Sequence, residues 1–275
     1  MNQIFETAAY SPAEIAAKVG SIGVTKARMP LAQMAMLGMV AGGFIGLGAL
    51  YYTLVASDTS LSFAASRVLG GLVFSLGLIL VIVAGAELFT GNNLLAMAWA
   101  DGKITTGEVA RNWAVVYVAN AVGAIGLAAV VYWSNHGALN GGAVAQQYLK
   151  IAAAKTALPF AEAFFKGVLC NLLVCLAVWL CLAGRTVTDK ILAIIFPISA
   201  FVAAGFEHSV ANMYFISLGI FLRGHVAAPV GTDLSTIDWS GFASNLVPVT
   251  LGNIVGGSAL VALVYYFIYR RGSKD

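Results

Sequence analysis

The sequence predicts an all-α, polytopic membrane protein with six transmembrane helices in two inverted three-helix repeats. Three observations support this class. Of the 275 residues, 60% are hydrophobic and only 10% are charged, a balance that excludes an ordinary soluble domain. The apolar residues form runs long enough to cross a membrane, and two parts of the chain match each other at fixed offsets. Polar residues interrupt the second and the fifth run, which predicts that these two spans are broken.

The apolar runs define the spans in order. A transmembrane helix needs about 20 consecutive, mostly apolar residues. Six runs meet this length, at residues 31–56, 68–100, 113–133, 160–183, 191–222 and 246–269. Residues 31–270 therefore form a single transmembrane domain embedded in the lipid bilayer. No removable signal peptide is expected, because charges are scattered through the first 28 residues.

The segments outside the spans are short. Within residues 1–30, Ser11, Pro12 and Glu14 form a helix-start signature, with Ser as N-cap and Glu three residues later. Apolar residues then recur on one face, which predicts an amphipathic helix at the membrane surface. The connection at 134–158 is interpreted as a loop, and residues 271–275 as a short basic tail.

Basic residues predict that both termini are cytoplasmic. With the N-terminus inside, ten Lys and Arg residues fall in cytoplasmic segments and four in outer segments, while Lys166 lies within a span. Such an excess marks the cytoplasmic side. The net charge of +3 therefore reflects the loops and gives no indication of nucleic-acid binding.

An internal repeat relates residues of about 31–135 to residues of about 160–270. A shift of 120 positions places Ala84, Gly85, Glu87 and Asn92 on Ala204, Gly205, Glu207 and Asn212. A shift of 133 positions places Asn120 on Asn253 and Gly123 on Gly256. A three-span unit enters the membrane from the opposite side the second time, so the repeat is inverted, as in many transporters and channels.

Polar residues break spans two and five at equivalent places, GAELFTGNN at 85–93 and GFEHSVANM at 205–213. Backbone groups freed at membrane depth need partners inside the protein. We therefore predict that Glu87 and Glu207 accept hydrogen bonds from freed backbone N–H groups, and that Asn92 and Asn212 help to support the breaks. An intramembrane carboxylate can also be functional, but the symmetry of the two favours the structural role.

The two breaks differ at the residue after the glutamate, which is Leu88 in the first and His208 in the second. Imidazole changes charge near neutral pH, so His208 can offer a proton or a positive charge to a small anion. The alternative is a packing residue with satisfied hydrogen bonds. Burial disfavours the charged imidazole, whereas Glu207 or a bound anion favours it, and the sequence leaves this balance open.

Four motifs in order carry a family resemblance: FSLGLILVIVAGAELFTGN, KGVLCNLLVCLAVW, GFEHSVANM and LVPVTLGNIVGG. Together they resemble the formate/nitrite transporter family over nearly the whole chain, and most of all its formate-channel branch. The resemblance implies an aquaporin-like inverted repeat, a homopentamer in the bacterial inner membrane, and a pore for small monovalent anions in each protomer. The stretch AKTALPFAEAFFKGVLCN is more similar to the nitrite branch, so the substrate stays open.

The resemblance also implies roles for individual residues. Phe74, Phe89 and Val174 would form an outer hydrophobic constriction, and Leu78, Leu88 and Phe201 an inner one. His208 and Thr90, with Asn171 and Asn253 nearby, would form a polar centre between them, and Lys155 would concentrate anions in the outer vestibule. Helix packing is the alternative for Phe74 and Leu78, and interhelical hydrogen bonding is the alternative for Asn171 and Asn253.

The predicted function is therefore a channel or transporter for formate, with proton transfer from His208 as one version of the mechanism. Passage of nitrite or hydrosulfide by a member of the same family is the alternative. A neutral-solute pore is disfavoured because the paired Asn-Pro-Ala breaks of aquaporins are missing. We expect no enzyme activity, metal or cofactor, because a single intramembrane histidine without a metal-spacing or nucleotide motif offers no ligand set.

Overall fold

The computed structural model describes residues 9–272, and within that range it contains helices and connections but no β-strand. Helix α1 (Pro12–Ala27) begins with the predicted capping box, in which Ser11 and Glu14 bond to each other's backbone. One face of α1 is buried, at Ile15 and Val19 among others. Residues 1–8 of the predicted N-terminal segment and 273–275 of the predicted tail lie outside the described range.

The first repeat contains the broken span that the sequence predicts. Helix α2 spans Leu31–Ala56, and the second span then begins with α3 (Phe63–Phe74) and α4 (Leu76–Ile79). A π-helical segment, Leu80–Gly85, leads into an extended stretch, and a 3₁₀ turn (Gly91–Leu94) leads into α5 (Leu95–Ala100). Helix α6 (Thr106–Trp133) starts before the predicted residue 113, because Thr105 and Glu108 form a capping box there.

The second repeat has the same order. Helix α8 spans Phe160–Ala183, and the broken span consists of α9 (Val187–Ala204) and α10 (Ser209–Leu222). Gly205 ends α9 with φ of +76°, a left-handed conformation that favours glycine. Helix α11 (Trp239–Ile254) continues through a π-helical segment, Val255–Leu263, into α12 (Val264–Tyr269). Within residues 9–272, six helical stretches are long and apolar enough to cross a membrane.

The connection at 134–158 is not a loop, because it contains helix α7 (Ala143–Thr156). Its Ala- and Gln-rich sequence has high helix propensity, and Val144, Tyr148 and Leu149 are fully buried against the domain. A shift of 129 positions places α1 near α7, with Lys26 on Lys155 and Pro30 on Pro159. The repeated unit is therefore a surface helix followed by three spans.

Glycines let the first and third spans of each repeat touch backbone to backbone. A Cβ at Gly123 would collide with the carbonyl oxygen of Met39, and one at Gly256 with that of Val168. The two glycines are equivalent in the repeat, and small residues at helix contacts are typical of membrane proteins. The equivalent hydroxyls of Tyr117 and Thr250 lie 2.8 Å apart, so the third spans meet at the pseudo-two-fold axis.

The molecule has two faces, which we call terminal and distal. The terminal face carries α1, the turn at 101–105 and the end of α12, joined by contacts such as Arg28–Glu108 and Arg270–Asp101. The distal face carries α7 and the connection at 223–238, where Arg223 donates to the carbonyl oxygen of Ile237. The sequence-based prediction puts the terminal face in the cytoplasm.

Candidate functional site

Asparagine side chains support the backbone at both breaks. At the first break, the N–H of Phe89 donates to Oδ1 of Asn120 (2.9 Å), and Nδ2 of Asn120 donates to the carbonyl oxygens of Gly38 (2.7 Å) and Glu87 (2.9 Å). One side chain therefore satisfies two backbone groups that the break frees from helical pairing, at Glu87 and Phe89, and also binds a carbonyl oxygen of α2.

Asn253 does the same at the second break. Its Oδ1 accepts from the N–H of Ser209 (3.0 Å), and its Nδ2 donates to the carbonyl oxygens of Gly167 (2.9 Å) and Glu207 (3.0 Å). The side chain of Asn253 therefore lies beside His208, bound to backbone groups of the break and of α8. The repeat match between Asn120 and Asn253 was the sequence signal for this shared role.

The break glutamates bind side chains and not the freed backbone, which corrects their predicted contacts. Glu87 accepts from Lys26 (2.6 Å) and Asn92 (2.7 Å), and Glu207 accepts from Lys155 (3.0 Å) and Asn212 (2.6 Å). These are two copies of one Lys–Glu–Asn cluster, one towards each face. The prediction missed Lys26 because its match to Lys155 appears only at the 129-residue shift.

Each cluster extends to one further asparagine. Asn92 donates to Asn112, whose own amide donates to the carbonyl oxygen of Lys26. Asn212 donates likewise to Asn245, and Asn245 to the carbonyl oxygen of Lys155. The surface helices α1 and α7 are thereby tied to the breaks through charged and amide groups.

Lys155 does not carry a free charge into the outer vestibule. Its Nζ lies 3.0 Å from both carboxylate oxygens of Glu207, and its side chain is only 14% exposed. A cation paired this closely contributes little net field to a passing ion. The role of concentrating anions, which the resemblance implied for Lys155, is therefore corrected to holding Glu207.

His208 and Thr90 bring the two breaks into contact. Nε2 of His208 lies 2.9 Å from Oγ1 of Thr90, and both residues are buried. Nδ1 of His208 accepts from the N–H of Ala211 (3.1 Å), which makes the histidine the N-cap of α10. An accepting Nδ1 assigns the proton of neutral imidazole to Nε2, which then donates to the hydroxyl of Thr90.

Two pockets approach this pair from opposite faces. The distal pocket has a volume of about 340 Å³ and is lined by Phe74, Phe201 and His208, among others. The terminal pocket has a volume of about 510 Å³ and is lined by Leu78, Leu88 and Gly91, which follows Thr90 directly. The His208–Thr90 contact therefore lies between two cavities.

Phe201 belongs with Phe74, and not with the predicted inner group of Leu78 and Leu88. The rings of Phe74 and Phe201 meet edge to face at 5.7 Å, and both line the distal pocket. The reason is that α9 runs on towards the distal face, where the carbonyl oxygen of Ala203 accepts from Arg67. The inner position that the resemblance implied for Phe201 is therefore wrong.

Phe89, Val174 and Asn171 line neither pocket. The ring of Phe89 packs on Tyr117 at 4.9 Å, on the side of α6, because its backbone N–H is held by Asn120. Val174 is buried in the core of the domain. Asn171 donates to the carbonyl oxygens of Thr90 (3.2 Å) and Asn253 (2.7 Å), so it ties the first break to α11.

Two further points complete the site. Lys166 forms a local ion pair with Glu162, at 2.6 Å, while its carbonyl oxygen accepts from the N–H of Glu207. Within residues 9–272, no group of three or more His, Cys, Asp or Glu side chains is placed to hold a metal ion.

Helices that fold into an inverted repeat, with cavities approaching a central polar contact from both faces, define a membrane channel or transporter. Comparison with known proteins specifies the family. The family model described as formate/nitrite transporter matches residues 13–267, and the chain belongs to this family. The formate channel FocA of Escherichia coli (strain K12) is 39% identical over 269 residues, which cover 94% of each chain.

Solved structures of related proteins are consistent with this family assignment. A pentameric formate channel with formate bound is similar with a TM-score of 0.80 and 38% identity, over 87% of this chain and 97% of that one. The aquaglyceroporin from Plasmodium falciparum is similar with a TM-score of 0.52 at 17% identity, over 85% of this chain and 99% of that one. At this identity the second likeness concerns the fold alone, and it confirms the predicted aquaporin-like architecture.

Proposed function

We propose that this protein passes formate through a pore in each protomer of a homopentamer, in the cytoplasmic membrane of a bacterium and with both termini inside. The family and its formate-channel relatives support the substrate and the assembly. The observation that carries the proposal is the His208–Thr90 contact, 2.9 Å long, between the two pockets.

The apolar residues beside the pockets would select by desolvation. Phe74 and Phe201 narrow the distal approach, and Leu78 and Leu88 line the terminal one. An ion that leaves water without new partners loses much free energy, and hydrophobic constrictions in channels act as barriers for this reason. An anion therefore crosses only if the centre offers it hydrogen-bond donors.

His208 and Thr90 would supply these donors. In the neutral form, Nε2–H of His208 donates to Thr90, which leaves the threonine hydroxyl proton available for a carboxylate oxygen. A carboxylate oxygen could accept from the threonine hydroxyl directly, and from Nε2–H of His208 once the His208–Thr90 hydrogen bond opens, since neither group donates to a backbone carbonyl within the described residues.

Proton transfer from His208 to formate would change the hydrogen bond that caps α10. To give up a proton as imidazolium, His208 needs protons on both ring nitrogens, and a protonated Nδ1 can no longer accept from the N–H of Ala211. The proton-coupled version therefore requires the loss of this capping hydrogen bond at the start of α10. Passage of the anion with a neutral His208 requires no such change.

The test is formate flux into proteoliposomes, with native protein compared with His208→Asn and with nitrite as competitor. We expect the native protein to prefer formate, and the variant to lose this preference or its dependence on pH. Unchanged flux and selectivity in a folded variant would contradict the central role of His208. Stronger inhibition by nitrite than by formate itself would reassign the substrate.

A further inference from the structure

Arg67 is a charged residue of the distal pocket to which the sequence analysis gave no role. It lies in α3 and lines the same pocket as His208. Its Nε donates to the carbonyl oxygen of Ala203 (2.8 Å), and its Nη1 contacts the hydroxyl of Tyr52 (3.5 Å). Both partners are neutral, and no carboxylate of residues 9–272 lies within ion-pair distance of this guanidinium.

The other two cations of the pocket are neutralised. Lys155 lies 3.0 Å from Glu207, and Lys166 lies 2.6 Å from Glu162. Among the described residues that line this pocket, Arg67 is therefore the basic residue whose charge has no carboxylate beside it. A cleft lined by uncompensated charge and low-dielectric walls focuses the field and raises the local concentration of counter-ions.

The guanidinium is held against the second break. A Cβ at Gly205 would lie only 2.6 Å from Nη2 of Arg67, so the glycine, with φ of +76°, leaves the space that the guanidinium occupies. The carbonyl of Ala203 belongs to the last turn of α9, where unpaired carbonyl groups attract cations. Nη2 has no hydrogen-bond acceptor among the described residues, so it remains free for a ligand.

We propose that Arg67 is the residue that recruits anions into the distal pocket. Nε fixes the side chain on the end of α9, and Nη2 with the uncompensated charge offers a first binding position for a small carboxylate before it reaches His208. Guanidinium binds carboxylates well because its N–H groups are planar and it stays charged at all relevant pH values. The inference rests on the proposed function, since it concerns recruitment for the same pathway.

The test compares Arg67→Gln, Arg67→Lys and native protein in proteoliposomes, with Lys150→Gln as matched control. Lys150 is an exposed cation of the same face that lines none of the pockets described here. At low ionic strength and low formate concentration, we expect flux from the distal side to fall about fivefold in Arg67→Gln. Arg67→Lys should retain most of the flux because it keeps the charge, and Lys150→Gln should behave as native.

Added impermeant salt separates a charge effect from a structural one. At about 0.5 M salt the screening length falls to about 4 Å, so native protein and Arg67→Gln should converge. A difference that persists at high salt, with no recovery in Arg67→Lys, would show that Arg67 only braces α9 and would overturn the inference. Native flux from the distal side that ignores ionic strength would overturn it too, even if Arg67→Gln does not fold. Native protein that passes no formate would refute the proposed function itself.

Discussion

The buried hydroxyl of Thr90 is the hydrogen-bond partner of His208. We predict that Thr90→Val removes this partner without changing the size of the side chain much, and leaves the Nε2–H of His208 unpaired. A buried, unpaired donor costs about 1–3 kcal/mol, so thermal unfolding in detergent should shift to lower temperature and formate flux should fall.

Thr90→Ser is the control for that variant, because it keeps the hydroxyl and loses one methyl group. It should retain most of both stability and flux. If Thr90→Val is as stable and as active as Thr90→Ser, the hydroxyl has no part in holding the imidazole, and the role of Thr90 would be limited to packing.

For single residues, the sequence shows which polar side chains are buried more readily than it shows which groups these side chains bind. His208 and Thr90 could be named because polar residues in a long apolar run are few and conspicuous. The partners of Glu87 and Glu207 could not, because Lys26 and Lys155 lie on surface helices far away in sequence. Hydropathy locates a buried charge, but it carries no information about which distant group neutralises it.

At the scale of the elements, the Lys–Glu–Asn clusters attach each surface helix to a break. We predict that Lys155→Met destabilises the protein by about 3 kcal/mol, because it leaves the buried carboxylate of Glu207 without its cation. The double variant Lys155→Met with Glu207→Gln should recover much of that loss, since it removes the unpaired charge together with its partner.

A double-mutant cycle on the unfolding free energy measures this coupling. The matched cycle on Lys26 and Glu87 should behave alike, because the cluster is repeated, although Lys26 is more exposed and its loss should cost less. Additive effects in both cycles would mean that the ion pairs contribute nothing beyond the separate residues, and would remove the clusters as anchors of α1 and α7.

The length of the apolar runs determines which helices can be predicted from the sequence. Helices α2 and α8 begin and end where the apolar runs do, because hydrophobic length is what a bilayer selects. Helix α7 was predicted as a loop because the segment is too short and too polar to be recognised as a transmembrane helix. Phe201 was assigned to the inner group from the resemblance, whereas the structure places its ring against Phe74, near the distal end of α9.

At the scale of the whole molecule, the two faces differ in their number of basic residues. Several terminal cations are neutralised, in the pairs Arg28–Glu108, Lys103–Asp101 and Lys26–Glu87. This pairing does not change the predicted orientation in the membrane, because topology follows the number of Lys and Arg residues near the spans and depends little on acidic residues. The terminal face is therefore expected in the cytoplasm.

Cysteine labelling in spheroplasts tests this orientation. The chain's own cysteines, Cys170, Cys175 and Cys181, are buried, so they should give little background with a membrane-impermeant maleimide. We predict that Lys150→Cys, at an exposed position of α7, is labelled from outside, and that Thr25→Cys, at an exposed position of α1, is labelled only after detergent is added. The reverse pattern would invert the molecule: the pocket that contains Arg67 and His208 would then face the cytoplasm, and Arg67 would recruit anions for export and not for uptake.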